Sequence, residues 1–178
     1  MLLLILQIIW FYLPAAISNS CGTLFRKLNF LNIPVDLNQK INGKSIFGKN
    51  KTYRGFFFGV LFAILITYLQ KILYPYYPHI YLFDYSQINP FILGFLLGLG
   101  ALFGDLIESF VKRRLNKKPG QPFIPFDQID WILGANIFLL LYIFPTWQML
   151  LVSLVFFGLM HPISNILAYY LKIKDTKY

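Results

Sequence analysis

The stretch from Pro90 to Arg114 reads PFILGFLLGLGALFGDLIESFVKRR and changes character part of the way along. Its first portion, Pro90 to Ile107, contains one charged residue, Asp105. As a helix this portion would be ~27 Å long, close to the roughly 30 Å hydrocarbon layer of a membrane. Glu108 and three basic residues follow it. The stretch therefore predicts a transmembrane helix that continues into a charged segment.

The composition of the whole chain points the same way. Of 178 residues, 57% are hydrophobic and 19% are aromatic, but only 13% are charged. Soluble domains have about 25% charged residues. We therefore expect an integral membrane protein with a single domain over residues 1–178. The one cysteine, Cys21, excludes an internal disulfide.

Five apolar segments are long enough to be considered as membrane spans. They are Leu2 to Ile17, Gly55 to Leu73, Pro90 to Ile107, Ile129 to Phe144, and Gln148 to Leu171. No alternating pattern of barrel length occurs, so an all-α fold is expected. The last two segments are separated only by the residues around Pro145. They would form one long kinked span or a helical hairpin, and their combined length favours the hairpin.

The basic residues test the number of spans. Five spans place fifteen of the sixteen Lys and Arg residues on one side, whereas four would put the basic C-terminal tail on the other. By the positive-inside rule, the N-terminus is outside and the C-terminus is cytoplasmic. Leu2 to Ile17 could instead be a signal peptide, but no basic residue precedes it, which favours a retained span. The net charge of +9 sits beside the membrane, where anionic lipid is a better partner than nucleic acid.

Glycines recur at short intervals in the third span. They are Gly94, Gly98, Gly100 and Gly104. Small residues at such spacing let helix backbones approach each other in membranes. We therefore expect the third span to pack closely against its neighbours.

Five polar residues share one face of the third helix because of their i, i+3, i+4, i+7, i+8 spacing. They are Asp105, Glu108, Ser109, Lys112 and Arg113. Asp127 and Asp130 are one helical turn apart at the start of the fourth span. One interpretation is a ladder of interfacial ion pairs. The other is a set of carboxylate ligands for Mg²⁺ beside cations that bind phosphate.

The segment GKSIFGKN, residues 43–50, has the G-x-x-x-x-G-K spacing of a phosphate-binding loop. A true loop of this type needs Ser or Thr where Asn50 stands, and a β-strand before it. We expect no such strand here, so the spacing is interpreted as coincidence. Its glycines and lysines still suggest a cationic loop that helps to hold a phosphate by charge and backbone amides.

Longer motifs resemble those of the CDP-archaeol synthase family, membrane enzymes related to phosphatidate cytidylyltransferases. The central motif is Gly104 to Arg114, GDLIESFVKRR, followed by Asp127 to Asp130, DQID. The similarity extends to four further places, so that it covers nearly the whole chain. They are Leu13-Pro14-Ala15 with Asn19, Ile33 to Asp36 (IPVD), Phe47 to Gly55 (FGKNKTYRG), and His161 with Asn165.

The resemblance implies transfer of CMP from CTP to a membrane lipid phosphate, with release of pyrophosphate. The expected acceptor is archaeol-type 2,3-bis-O-geranylgeranylglycerol 1-phosphate. The implied catalytic residues are Asp105, Glu108, Ser109, Lys112, Arg113, Asp127 and Asp130, with Asp105, Asp127 and Asp130 as Mg²⁺ ligands. Substrate phosphates would be bound by Lys49, Lys51, Arg54 and Asn19. The expected partners are CTP, the lipid phosphate, membrane lipids and, as an option, a second copy in a homodimer.

The expected location is the cell membrane, with the active site facing the cytoplasm. Formation of CDP-diacylglycerol from phosphatidate is an alternative activity. A CDP-alcohol phosphatidyltransferase is disfavoured because its D-G-x-x-A-R pattern does not occur in the chain. A small non-enzymatic transporter would place its charges near the middle of the membrane rather than at span ends.

Overall fold

The computed structural model describes residues 2–117 and 121–170, and this part of the chain is mostly helical. The five helices are α1 (Leu2–Leu24), α2 (Tyr53–Leu73), α3 (Pro90–Arg114), α4 (Phe126–Leu139) and α5 (Trp147–Tyr170). A single 3₁₀ turn covers Pro78–Ile80, and two short strands, β1 (Lys40–Ile41) and β2 (Lys44–Ser45), precede α2. The predicted helical membrane architecture is thus confirmed.

Three helices are long and apolar enough to cross a membrane, namely α1, α2 and α3. The fourth predicted span, Ile129 to Phe144, differs from the helix that forms. Helix α4 begins at Phe126 and ends at Leu139, and its 14 residues reach only ~21 Å. It ends early because tight turns follow, in which the amides of Leu141 and Tyr142 donate to the carbonyls of Phe138 and Leu139. The five-span count remains a prediction.

Helices α4 and α5 are separate helices, as the predicted hairpin requires. The segment 140–146 joins them, and α5 packs against α4. Among the described residues of α5, the apolar stretch is Trp147–Met160. The predicted end of this span at Leu171 lies outside the described residues.

Helix α3 is the centre of the bundle and packs against α1, α2 and α4. Its glycines make this possible. A Cβ atom on Gly94 would lie 2.6 Å from the Cα atom of Ile64, and one on Gly98 would lie 2.6 Å from the Cβ atom of Ala63, both in α2. The close packing predicted from the glycine spacing is confirmed.

Polar side chains buried between the helices bond to backbone carbonyls of neighbouring elements. The hydroxyl of Ser18 in α1 donates to Gly98 in α3 at 3.0 Å, and that of Thr67 in α2 donates to Pro90 in α3 at 2.7 Å. The amide of Gln70 in α2 donates to the carbonyl of Trp10 in α1 at 2.6 Å. Such bonds between helices compensate for placing polar groups in an apolar interior.

The segment from α1 to α2 contains a β-hairpin, so the expectation of no strand before residues 43–50 is wrong: β1 ends two residues before Gly43. Lys40 pairs with Ser45 and Ile41 with Lys44. Asn42 and Gly43 form the two-residue turn, with φ values of 51° and 76°. Positive φ at both positions is typical of a type I′ turn, for which Asn-Gly is the preferred dipeptide. The Asn42-Gly43 dipeptide is the sequence signal for this turn. Strands of two residues are too short to show the alternation of polar and apolar side chains that predicts a strand.

Candidate active site

Residues from four helices and from the α1–α2 connection, with its two strands, line one open cavity of about 950 Å³. The helical parts of the lining come from α1, the beginning of α2, the end of α3 and the beginning of α4. Every residue that the sequence analysis assigned to the site contributes to its lining: Asn19, Lys49, Lys51, Arg54, Asp105, Glu108, Ser109, Lys112, Arg113, Asp127 and Asp130. The fold therefore brings together positions that are more than one hundred residues apart in the sequence.

The carboxylates of α3 and α4 meet because the two helix backbones nearly touch beside them. A Cβ atom on Gly104 would lie 2.0 Å from the carbonyl oxygen of Asp130, and one on Gly134 would lie 2.2 Å from that of Gly100. Only glycine fits at such a distance. Asp105 follows Gly104 directly, so this contact sets the position of Asp105 relative to Asp130.

Three carboxylates form a compact group at this crossing. Oxygen atoms of Asp105, Glu108 and Asp130 all lie within 4.8 Å of one another. Glu108 is buried, and Asp130 also accepts a hydrogen bond from the Trp131 amide at 2.7 Å. Hard oxygen ligands in a small group suit a divalent cation such as Mg²⁺. The donor set thus fits the expected metal.

Asp127 is not one of these three carboxylates, although its side chain contacts Glu108, and its role as a metal ligand stays a prediction. One of its oxygens lies 2.6 Å from the ammonium of Lys112, and the other accepts the Phe123 amide at 2.7 Å. Burial would raise the pKa of Asp127, but hydrogen bonds with Glu108, Lys112 and the Phe123 amide outweigh it, and the pKa is lowered. Glu108, from α3, takes the place next to Asp105 and Asp130.

Two lysines contact the carboxylates directly. The ammonium of Lys112 bridges Glu108 and Asp127, at 2.6 Å from each. The ammonium of Lys51 lies 2.5 Å from Asp105, although the two residues are 54 positions apart. These ion pairs confirm part of the ion-pair interpretation, and they join the α1–α2 connection to the site. They also place two cations where a phosphate would approach the carboxylates.

The other assigned residues differ in how freely they face the cavity. Lys49 is exposed, and Asn19 is half-buried. Ser109 is buried. Arg113 uses one guanidinium nitrogen to donate to the Lys117 carbonyl at 2.8 Å. Arg54 is buried and its guanidinium donates to the Leu28 carbonyl, so part of its donor capacity serves the connection rather than a substrate.

The structure supports a different role for GKSIFGKN than backbone binding of phosphate. The amides of Phe47 and Gly48 both donate to the carboxylate of Asp36 at 3.0 Å. These amides therefore already hold an anion. Burial would raise the pKa of Asp36, but the backbone hydrogen bonds from Gly48, Phe47 and Asn38 outweigh it and lower the pKa. Ionised Asp36 therefore stabilises the folded state at pH values above the pKa that this carboxyl has in the unfolded chain. The stabilisation is lost as the pH falls through the pKa of Asp36 in the folded state.

No role was predicted for Asp36 or Arg114, although Asp36 ends the IPVD motif and Arg114 ends the GDLIESFVKRR motif. Asp36 lines the cavity, and Arg114 binds the β-hairpin to the end of α3. The periodicity of hydrophobic residues cannot reveal these contacts, because each joins a side chain to backbone groups elsewhere in the chain. The side chains of His161 and Asn165 lie outside the described residues.

Comparison with known proteins agrees with the geometry. A family model described as CarS-like CDP-archaeol synthase matches residues 1–178. The CDP-archaeol synthase of Pyrococcus furiosus is 40% identical over 98% of both chains, and that of Methanocaldococcus jannaschii is 35% identical over 94% of both. A solved structure of an intramembrane enzyme for archaeal membrane lipid biosynthesis is similar with a TM-score of 0.66 at 27% identity. The match covers 89% of this chain and 92% of that one.

The full-length family match, the relatives above 30% identity and the shared helical fold agree with each other. The motifs that first suggested the resemblance, GDLIESFVKRR and DQID, both contribute charged residues to the cavity lining. The chain belongs to the CDP-archaeol synthase family.

Proposed function

We propose that this chain transfers CMP from CTP to an archaeal lipid phosphate and so forms a CDP-activated lipid. Its membership of the CDP-archaeol synthase family supports this activity. The observation that carries the proposal is the composition of the cavity. The acidic group of Asp105, Glu108 and Asp130 lies in the same cavity as Lys51 and Lys112. Transfer of a nucleotidyl group needs carboxylates to bind a metal ion and cations to bind the phosphates.

The reaction is a displacement at the α-phosphorus of CTP. A phosphate oxygen of the lipid attacks this phosphorus, and the bond to the oxygen that bridges the α- and β-phosphorus breaks. Pyrophosphate leaves with that electron pair. The lipid phosphate is already an anion near neutral pH, so no side chain has to remove a proton from it. Ser109 is therefore assigned to hydrogen-bonding support rather than nucleophilic attack.

The described side chains divide this work. Lys51, Lys112 and Arg113 offset the negative charge of the triphosphate and of the attacking phosphate. Asp105, Glu108 and Asp130 would hold Mg²⁺. A divalent cation held by these carboxylates would supply positive charge to offset the negative charge of the phosphates during the displacement. Asp127 keeps Lys112 in place, since the two groups are 2.6 Å apart.

A lipid substrate is supported by the apolar part of the lining. Leu102 in α3 and Phe56 in α2 line the same cavity as the charged residues. Both helices have the length and hydropathy of membrane spans. An acyl or isoprenyl chain could therefore remain in the apolar layer while its phosphate reaches the carboxylates.

We infer further that the cavity faces the cytoplasm of the cell membrane, with five spans and the N-terminus outside. The two basic connections support this orientation because Lys51 of one and the residues that flank the other, Arg113 in α3 and Asp127 in α4, line the same cavity. Segment 74–89 lies at the opposite end, where Gln7 donates to the His79 carbonyl at 2.9 Å. The packing of α3 against three other helices supports one domain over residues 1–178. The proposal is for a single chain, since nothing in residues 2–117 or 121–170 argues for a homodimer.

The purified protein can be tested with CTP, Mg²⁺ and different lipid acceptors. We expect pyrophosphate release with a geranylgeranyl ether-lipid phosphate, and little release without lipid. A higher kcat/KM with phosphatidate would favour the alternative activity, CDP-diacylglycerol formation. Equal release with and without lipid would contradict lipid cytidylyl transfer altogether.

A further inference from the structure

The β-hairpin is bonded to the end of α3 by one arginine. The guanidinium of Arg114 donates to the carbonyls of Ile41 at 2.8 Å, Ser45 at 2.6 Å and Lys44 at 3.2 Å. In return, the ammonium of Lys44 donates to the Arg114 carbonyl at 3.2 Å. The guanidinium also lies over the Phe110 ring, 5.2 Å from its centre. We call this set of contacts the hairpin clasp.

The clasp depends on the shape of arginine. Three carbonyl oxygens converge on one planar group that presents several N–H donors in fixed directions. Lysine carries the same charge but presents it at a single point, so it cannot reach all three carbonyls in the same way. Replacement of Arg114 by Lys therefore separates the shape of the side chain from its charge.

A second anchor holds the same segment from the other side. Asp36 is 6% exposed, and it accepts hydrogen bonds from the amides of Phe47, Gly48 and Asn38, each at 3.0 Å. Phe47 also faces the Phe110 ring of α3, with the ring centres 6.4 Å apart. The chain from the hairpin to Gly48 is thus fixed at both ends.

The fixed segment forms one wall of the cavity. Ser45, Phe47 and Gly48 contribute to its lining, as do the carboxylates of α3. Arg114 lies on the same helix as Asp105, nine residues further along, which is ~14 Å of helix rise. It is absent from the lining residues of the cavity. Arg114 therefore sets the distance between this wall and the carboxylates without lining the cavity itself.

We propose that Arg114 is a positioning residue for nucleotide binding: it holds the hairpin as the wall against which CTP binds. The inference rests on the proposed function, because that function supplies the nucleotide. Asp36 acts with Arg114 by holding the other end of the same wall. Neither residue takes part in the displacement at phosphorus.

Steady-state kinetics of the full chain test this role with Arg114→Ala, Arg114→Lys and Lys27→Ala. Lys27 is an exposed basic residue of the same connection that neither lines the cavity nor belongs to the clasp. We expect Arg114→Ala to raise the KM for CTP by about tenfold and to change kcat by less than about twofold. Arg114→Lys should recover only a small part of this loss, and Lys27→Ala should match the wild type.

Hydrogen exchange of residues 39–48 tests the clasp independently of turnover. We expect these amides to exchange faster in Arg114→Ala and Arg114→Lys, while peptides from α2 remain as protected as in the wild type. Calorimetric titration with CTP should show the same loss of affinity as the KM. Because neither measurement needs turnover, failure of the proposed reaction and failure of this inference can be distinguished.

Three results would overturn the inference. They are a fall in kcat with unchanged KM, full recovery in Arg114→Lys, and unchanged exchange of residues 39–48. If Arg114→Ala does not fold, Arg114→Lys decides the question, because it keeps the charge and the aliphatic stem.

Discussion

At the scale of single residues, the crossing of α3 and α4 holds more carboxylates than the lysines that contact them. Four carboxylates crowd the crossing of α3 and α4, and the ion pairs described there come from two lysines. The carboxylates are Asp105, Glu108, Asp127 and Asp130, and the lysines are Lys51 and Lys112. Like charges held this close are costly unless a cation offsets them. This excess of carboxylates is the residue-level argument for a divalent cation.

Replacement of one ligand by its amide tests the metal assignment. We expect Asp105→Asn to lower kcat at least about 100-fold, equivalent to ~2.7 kcal/mol of barrier, because an amide is a poor substitute for an anionic Mg²⁺ ligand. Titration with Mn²⁺, followed by electron paramagnetic resonance, should show weaker binding in this variant.

Asp84→Asn is the matched control, since Asp84 is exposed and lies in the segment at the opposite end of the bundle. It should retain both activity and Mn²⁺ affinity. If Asp105→Asn kept more than roughly a tenth of the wild-type rate, a loss of under about 1.4 kcal/mol, Asp105 would not be a ligand.

At the scale of elements, the site depends on how closely α3 and α4 approach. Gly104 and Gly134 bring the two backbones into contact beside the carboxylates. The crossing places Asp105 of one helix within reach of Asp130 of the other. Helix packing and active-site geometry are therefore determined by the same two glycines.

Gly104→Ala tests this coupling. Its new methyl group would lie 2.0 Å from the Asp130 carbonyl oxygen, a backbone atom that cannot move without the helix. We expect a loss of stability of ~1–3 kcal/mol, the usual cost of overpacking, together with a large loss of kcat. Thermal unfolding and CMP transfer are the two measurements.

Gly22→Ala provides the comparison for stability, because a Cβ atom at Gly22 has no neighbour within 4 Å. Its unfolding temperature should equal or slightly exceed that of the wild type, since alanine favours a helix over glycine. Unchanged stability and activity in Gly104→Ala would show that the helices do not approach as described.

The sequence predicts some features of the site and not others, for physical reasons. Helical spacing places Asp105, Glu108 and Lys112 on one face, and the structure agrees. Spacing within a helix gives no information on the rotation of α4 about α3. That rotation brings Asp130 close to both Asp105 and Glu108, while Asp127 contacts Glu108 and Lys112. The same limit applies to Arg114, whose partners are backbone carbonyls of a distant hairpin.

At the scale of the whole molecule, two connections that are far apart in the sequence converge on one end of the bundle. The connection from α1 to α2 contributes Lys51, and the region where α3 passes into α4 contributes Lys112 and Asp127. Hydrophobicity predicts the helices, and the distribution of basic residues predicts that these connections share a side. The convergence of the two connections in the structure supports the prediction that they share a side.

Labelling of single cysteines from one side of sealed vesicles tests the orientation. Three exposed positions are suitable, namely Gln39, Ser86 and Gln121. Since Cys21 is buried, it should react slowly and leave a low background. We expect Gln39→Cys and Gln121→Cys to react from the cytoplasmic side and Ser86→Cys from the other. Reaction of positions 39 and 121 from opposite sides would rule out a shared cavity.

The most direct test of the central claim follows each phosphorus atom of CTP. The purified protein is incubated with a geranylgeranyl ether-lipid phosphate and with CTP labelled at either the α- or the γ-phosphorus. We expect the α label to appear in the lipid and the γ label to appear only in pyrophosphate. Appearance of the γ label in the lipid would indicate a kinase instead. Retention of both labels in CTP, by a protein that binds CTP, would contradict the proposed transfer.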